Sequence, residues 1–99
     1  MKKFKIELED NAKLDIKKAK KYYRNISNEL KNKFIKEISE SFNTLELNPF
    51  FALRYDKIRC LPIKNFPYII HFETIEKNNT VKIYAVLNTS TLNENLNTF

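Results

Sequence analysis

The sequence predicts an α+β domain in which an N-terminal strand precedes an antiparallel helical hairpin packed on a small, mainly antiparallel sheet, in the order β-α-α-β-β-β. Three observations predict it. Apolar residues alternate with period two at the start, recur at steps of three and four from Ala12 to Leu45, and return to period two after Asp56. The link Asn25-Ile26-Ser27 between the helical stretches is too short for anything but an antiparallel hairpin. A chain of 99 residues with 42% hydrophobic content can bury one modest core and no second one. Residues 1–99 are therefore expected to form one domain, with residues 89–99 a polar, Asn-rich tail.

The elements follow in order. Phe4, Ile6 and Leu8 alternate with Lys5 and Glu7, the pattern of a half-buried strand. Asp10 is expected to cap the first helix, its carboxylate accepting from free N–H groups of the first turn. Ala12, Ile16, Ala19, Tyr23 and Ile26 form one face of that helix, and lysines fill the others. Ser27 is expected to cap the second helix. Leu30, Phe34, Ile38, Phe42 and Leu45 form its apolar stripe, and Pro49 stops it. A loop is expected over Phe50–Asp56. Strands are expected at about Lys57–Ile63, Tyr68–Ile75 and Thr80–Asn88. Asn-Phe-Pro turns the first hairpin and Lys77-Asn78-Asn79 the second, since asparagine tolerates positive φ. Pro62 has no N–H to donate, so a bulge or an unpaired position is expected there. The hairpin stripes need an apolar partner, so the helices cover one sheet face and leave the other partly open.

Composition excludes several classes. With no glycine there is no phosphate-cradling loop and no dinucleotide fingerprint. Cys60 is alone and forms no internal disulfide, so nothing calls for an oxidising compartment. Soft ligands at metal spacing are absent, and neither a metal nor a cofactor is expected. Met1-Lys-Lys-Phe-Lys has the charged start of a signal peptide, but Glu7, Glu9 and Asp10 interrupt any apolar run. No apolar segment approaches membrane-spanning length. The chain reads as cytoplasmic, with no membrane partner. Its net charge of +6 favours a polyanion or an acidic protein. Richness in Lys, Asn and Ile also fits a coding preference that accumulates surface lysines without function.

Strand alternation places His71 and Glu73 opposite Tyr68, Ile70 and Phe72. In the last strand Lys82, Tyr84, Val86 and Asn88 make the more polar set, against Val81, Ile83, Ala85 and Leu87. His71, Glu73, Lys82, Tyr84 and Asn88 are thus expected on the open face. His71, the only histidine, suits proton transfer near neutrality, although a lone strand histidine is more often a packed, hydrogen-bonded residue. Cys60 reads as a small buried residue. Arg54, Lys57, Arg59 and Lys64 flank or lie in one strand, and arginine occurs only three times in the chain. A guanidinium grips phosphate with two parallel hydrogen bonds, which lysine cannot do. The plainer reading is a solvated basic edge, or a pairing with Asp56 and Glu73. Tyr22 and Tyr23 offer rings for base stacking, but their helical spacing fits core and rim better.

These parts in this order resemble the RelE/ParE family of bacterial toxins. The resemblance runs from the strand Phe4–Leu8 and Ala12-Lys-Leu-Asp15 through Tyr22-Tyr23 and Phe34…Leu45…Pro49. It is sharpest at Ile58-Arg59-x-Leu61-x-Ile63-x-x-Phe66-Pro67-Tyr68-x-Ile70-x-Phe72, followed by Val81-x-Ile83-x-Ala85-Val86. It implies a growth-inhibiting toxin of a type II toxin–antitoxin pair, neutralised by an acidic, partly disordered antitoxin. One branch of the family cleaves messenger RNA on the ribosome, using basic and polar residues of the open face. The other poisons DNA gyrase. Many members carry His-x-x-Arg at the end of the last strand, where this chain has Asn88-Thr89-Ser90-Thr91. If the chain is an endoribonuclease, Arg59, His71 and Tyr84 are its catalytic candidates, with Arg54, Lys57, Arg59 and Lys64 holding the target or its phosphates. The expected partners are the antitoxin and either gyrase or the ribosome with its message. The remaining alternative is an inactive toxin relic or a basic nucleic-acid- or protein-binding module.

Overall fold

The computed structural model describes residues 3–89, and the expected tail falls almost wholly outside them. The elements are β1 (Lys5–Leu8), α1 (Asp10–Ile26), α2 (Asn28–Leu47), β2 (Leu53–Tyr55), β3 (Ile58–Pro62), β4 (Tyr68–Ile75) and β5 (Thr80–Asn88). The strands form one mixed sheet in the order β1-β5-β4-β3-β2. β1 runs parallel to β5, and the other neighbours are antiparallel. The predicted α+β order is present, with one addition. Leu53–Tyr55, expected to be loop, pairs with β3 as a three-residue edge strand.

Ser27 builds the helical hairpin. Its N–H closes α1 on the Tyr23 carbonyl, and its Oγ accepts from the Leu30 N–H at 3.0 Å to start α2. The other expected cap is not made. Glu9 holds the cap position of α1 without a side-chain hydrogen bond, and Asp10 is the first helical residue. There its charge still favours the positive helix terminus. No helix among the described residues is long and apolar enough to cross a membrane.

The hairpin covers one sheet face. Ala12, Ala19 and Tyr23 of α1 and Phe34, Ile38 and Leu45 of α2 are buried with Ile63, Tyr68, Ile70, Phe72, Val81, Ile83 and Val86. Ile26, expected on the buried stripe, is exposed beside the interhelical turn. Tyr23, Phe34, Phe66 and Tyr68 form an aromatic cluster at one end, with Phe34 5.4, 5.2 and 5.5 Å from the other three rings. Burial and the neighbouring Tyr68 push the Tyr23 hydroxyl up to about 12, so it stays neutral. The Asn-Phe-Pro turn is pinned beneath: Asn65 takes φ 68°, and its Nδ2 donates to the buried Glu37 carboxylate at 2.7 Å. Asn79 takes φ 51° in the second turn.

Of the two outcomes expected at Pro62, the unpaired position is the one present, and one register detail is new. Pro62 causes no bulge. The β3–β4 register runs unbroken from Arg59↔Phe72 to Pro62↔Ile69. Ile63 N–H donates to the Tyr68 carbonyl, so the adjacent Pro62 nitrogen faces away from β4 and no ladder bond is lost. The bulge lies instead in β5, where His71 pairs with Ala85 but Phe72 pairs with Ile83. Tyr84 is the extra residue, and beyond it the faces of β5 exchange. Val86 therefore points into the core at 2% exposure, and Asn88, paired with Tyr68, lies on the helix-covered side. Ala85 and Leu87 go to the open face. The Val86 N–H donates to Asp15 Oδ2 on α1 at 2.9 Å.

Candidate functional site on the open sheet face

The residues paired with His71 define the open face: Cys60 on β3 and Ala85 on β5, with Glu73 paired to Lys82 one step along. Despite the name, His71 is 8% exposed. Tyr55, on the short β2 edge, reaches across with its hydroxyl 3.0 Å from His71 Nδ1, while Cys60 Sγ lies 3.5 Å from the same nitrogen. A hydroxyl donating to Nδ1 leaves the imidazole proton on Nε2, which is buried and has no hydrogen-bond partner among the described residues. Burial pushes the imidazole below its ordinary value. Burial also pushes the Cys60 thiol up, although Arg54 opposes it, and pushes the Tyr55 hydroxyl up. The trio is therefore neutral: an imidazole, a thiol and a phenol.

A pH test follows from this burial. The unfolded chain takes up the His71 proton near pH 6.5, whereas the folded chain resists protonation until a lower pH. Between those values the unfolded state binds more protons, so stability falls as the pH drops. Above about pH 6.5 this contribution is complete and flat. Thermal melts from about pH 8 to 5 should show the loss. In His71→Gln the part of the slope below about pH 6.5 should vanish. Identical slopes for the two proteins would show that His71 does not carry it.

Around this centre the polar groups are already engaged. Tyr84 Oη donates to Glu73 at 2.6 Å, and that bond, with burial, raises its own ionisation. Lys57 Nζ lies 3.7 Å from the same carboxylate. Lys82 pairs with Glu9 at 3.1 Å, which raises its own ionisation, and stands over the Tyr84 ring.

Arg59 is elsewhere. It pairs across the ladder with Phe72 and so belongs to the helix-covered side. Its guanidinium donates to the Phe51 carbonyl and stacks over the Phe50 ring. It thereby holds the loop between α2 and β2 against the sheet. Arg54 is exposed on β2. Lys64 lines a shallow groove between α2 and the end of β3 with Glu37, Glu40, Ser41, Thr44, Leu61 and Pro62. The structure thus gathers His71, Tyr84 and Lys57 on one face and places Arg59 and Lys64 off it. Asn88, also expected there, is on the other side. Sequence reasoning missed Tyr55 as the cover of His71. Its sole signal was an aromatic residue four positions before Arg59 in a stretch that read as loop. No group of three or more His, Cys, Asp or Glu among the described residues is placed to hold a metal ion.

The comparisons with known proteins agree with this architecture. The family model of the ParE toxin of the type II toxin–antitoxin system parDE matches residues 6–92. The chain is similar to a structure of the chromosomal ParDE toxin–antitoxin system from P. aeruginosa. That match has a TM-score of 0.71 and 16% identity, covering 86% of this chain and 95% of that one. It is also similar to the isolated E. coli RelE toxin, with a TM-score of 0.50, 10% identity, and coverage of 95% and 96% of the two chains. At these identities the likeness is one of fold. A search of curated protein sequences finds no match.

Proposed function

The chain belongs to the ParE toxin family of type II toxin–antitoxin systems, and from that premise we propose that it arrests growth by acting on DNA gyrase, not by cutting messenger RNA. The observation that carries this choice is the separation of Arg59 from His71. Cleavage of a phosphodiester needs a proton-transfer group and a cation within one pocket, so that the charge developing on the phosphate is met where it forms. Here the imidazole is buried under Tyr55, and the guanidinium on the far side of the sheet is committed to Phe51 and Phe50. Tyr84 donates its hydroxyl to Glu73, and Lys57, 3.7 Å from the same carboxylate, is largely exposed. At the end of β5, Asn88 neither exchanges a proton near neutral pH nor carries charge.

The partner that neutralises the toxin is an antitoxin with an acidic, partly disordered segment. Its apolar anchors fit the half-exposed Leu53 and Tyr55 of the β2 edge and Phe50 in the loop before it. Such anchors supply affinity, while the +6 charge speeds encounter. Action on gyrase places the protein in the cytoplasm.

The test is induction of the chain in a bacterial host, with and without the neighbouring gene product. Induction alone should stop growth and produce DNA breaks with an induced damage response, and co-expression of the antitoxin should relieve both. Primer extension on translated messages should show no codon-spaced cuts. Discrete cuts without DNA damage would overturn the gyrase reading and return His71, Arg59 and Tyr84 to the catalytic role. Normal growth with neither effect would leave the binding module or relic.

A further inference from the structure

The helical hairpin carries a second feature, distinct from the open face. Lys17, Lys20, Lys21 and Arg24 of α1 line a groove of about 330 Å³ with Lys31 and Ile35 of α2. The α1 residues recur at i, i+3, i+4 and i+7, a stripe about 10 Å long on one side of the helix. It is separate from the stripe of Ala12, Ala19 and Tyr23 that α1 buries. No acidic residue lines the groove, and none of its five cations makes an ion pair among the described residues. Five like charges around one groove repel one another, and a polyanion relieves that repulsion.

We propose that this groove binds the phosphate backbone of duplex DNA. Three features favour that occupant. An acidic protein segment draws its affinity from apolar anchors, and the groove offers only Ile35, whereas the exposed apolar side chains Leu53 and Tyr55 stand on the β2 edge. A single strand needs rings on which bases stack, and no aromatic residue lines the groove. Backbone contacts to a duplex need only cations at fixed spacing, which a straight helical stripe supplies. The contact is independent of base sequence, because lysine point charges on phosphates read no base edge. The proposal does not depend on gyrase being the target.

The test uses the full chain and a fluorescein-labelled random-sequence duplex of about 20 base pairs, read by fluorescence polarisation across a salt series. Five phosphate contacts give a slope of log K against log salt of up to about −4.5, so affinity should fall on the order of 10²–10³-fold between 50 and 200 mM salt. The variant Lys17→Gln/Lys20→Gln/Lys21→Gln should bind at least about tenfold more weakly, with the slope reduced by about 2.7. The control Lys5→Gln/Lys33→Gln/Lys77→Gln removes the same charge from exposed positions outside the groove and should change affinity about twofold or less. Equal losses from the two triples would show that bulk charge binds, and would overturn the site. So would a slope shallower than about −2 for the unaltered protein, a measurement that needs no variant to fold. Tighter binding of single-stranded DNA, duplex RNA or a polyglutamate peptide than of duplex DNA would overturn the choice of occupant.

Discussion

Phe34→Ala should destabilise the domain by about 3–5 kcal/mol, the usual cost of deleting a buried phenyl ring. Phe34 is fully buried and lies against Tyr23, Phe66 and Tyr68 at ring separations of 5.2 to 5.5 Å. Those three rings come from α1, the β3–β4 turn and β4, so one side chain joins both helices to the sheet. A cavity at this point has rigid walls, because aromatic neighbours cannot collapse into it as flexible aliphatic chains do. Domains of this size have a total stability of about 5–15 kcal/mol, so the variant should be marginal. The melting temperature should fall by at least about 12 °C, since 1 kcal/mol shifts a domain of under about 100 residues by 4–8 °C. Leu47→Ala is the comparison, because Leu47 is 56% exposed and should cost within about 0.5 kcal/mol. Urea or thermal unfolding of the three proteins decides it. Equal midpoints for Phe34→Ala and the parent would mean that the aromatic cluster does not hold the hairpin to the sheet.

The same ring shows what the sequence made legible. Phe34 stands on a stripe with a period of 3.6 residues, and a period read over twenty residues tolerates local noise. The long strands β4 and β5 were legible for a related reason: their ends coincide with the asparagine turns, and positive φ at Asn65 and Asn79 is what those turns require. β2 was not legible. Leu-Arg-Tyr is three residues long with every side chain exposed, so it carries no alternation, and only its pairing with β3 makes it a strand.

The candidate site was legible by residue type and not by side. From Val81 to Leu87 apolar residues stand at 81, 83, 85, 86 and 87, so the pattern fits either face after Ile83. Strict alternation puts Val86 and Asn88 beside Tyr84, whereas the bulge at Tyr84 puts them across the sheet. Arg59 posed the same problem on β3, where a break at Pro62 would have changed the neighbours of the guanidinium. His71 was found because it is the only histidine. Its burial could not be read, because Tyr55 covers it from a strand that the sequence does not announce. In each case the missing information is a contact between residues far apart in the chain.

Asp15 makes another long-range contact, and Asp15→Ala should cost about 1.5–3 kcal/mol, the range for a lost hydrogen bond to a charged group. A backbone N–H past the end of a neighbouring strand must find another acceptor. β1 pairs with β5 only as far as Ile83, and the Val86 N–H beyond it donates to the Asp15 carboxylate, 2.9 Å away and 71 positions earlier in the sequence. Alanine would leave that N–H buried and unpaired. Asp15→Asn keeps an acceptor oxygen without the charge, so it should recover a large part of the loss, which a purely steric role for Asp15 would not predict. The local readout is hydrogen exchange at the Val86 amide. It should lose protection in Asp15→Ala by more than the global destabilisation explains, while Ile70 and Ile83 amides follow the global change. The bulge at Tyr84 sets which side chains of β5 share a face with His71, so relaxing it should disturb the Tyr84–Glu73 bond on the open face. A parent-like melting midpoint together with an undiminished Val86 protection factor in Asp15→Ala would remove the carboxylate from this role.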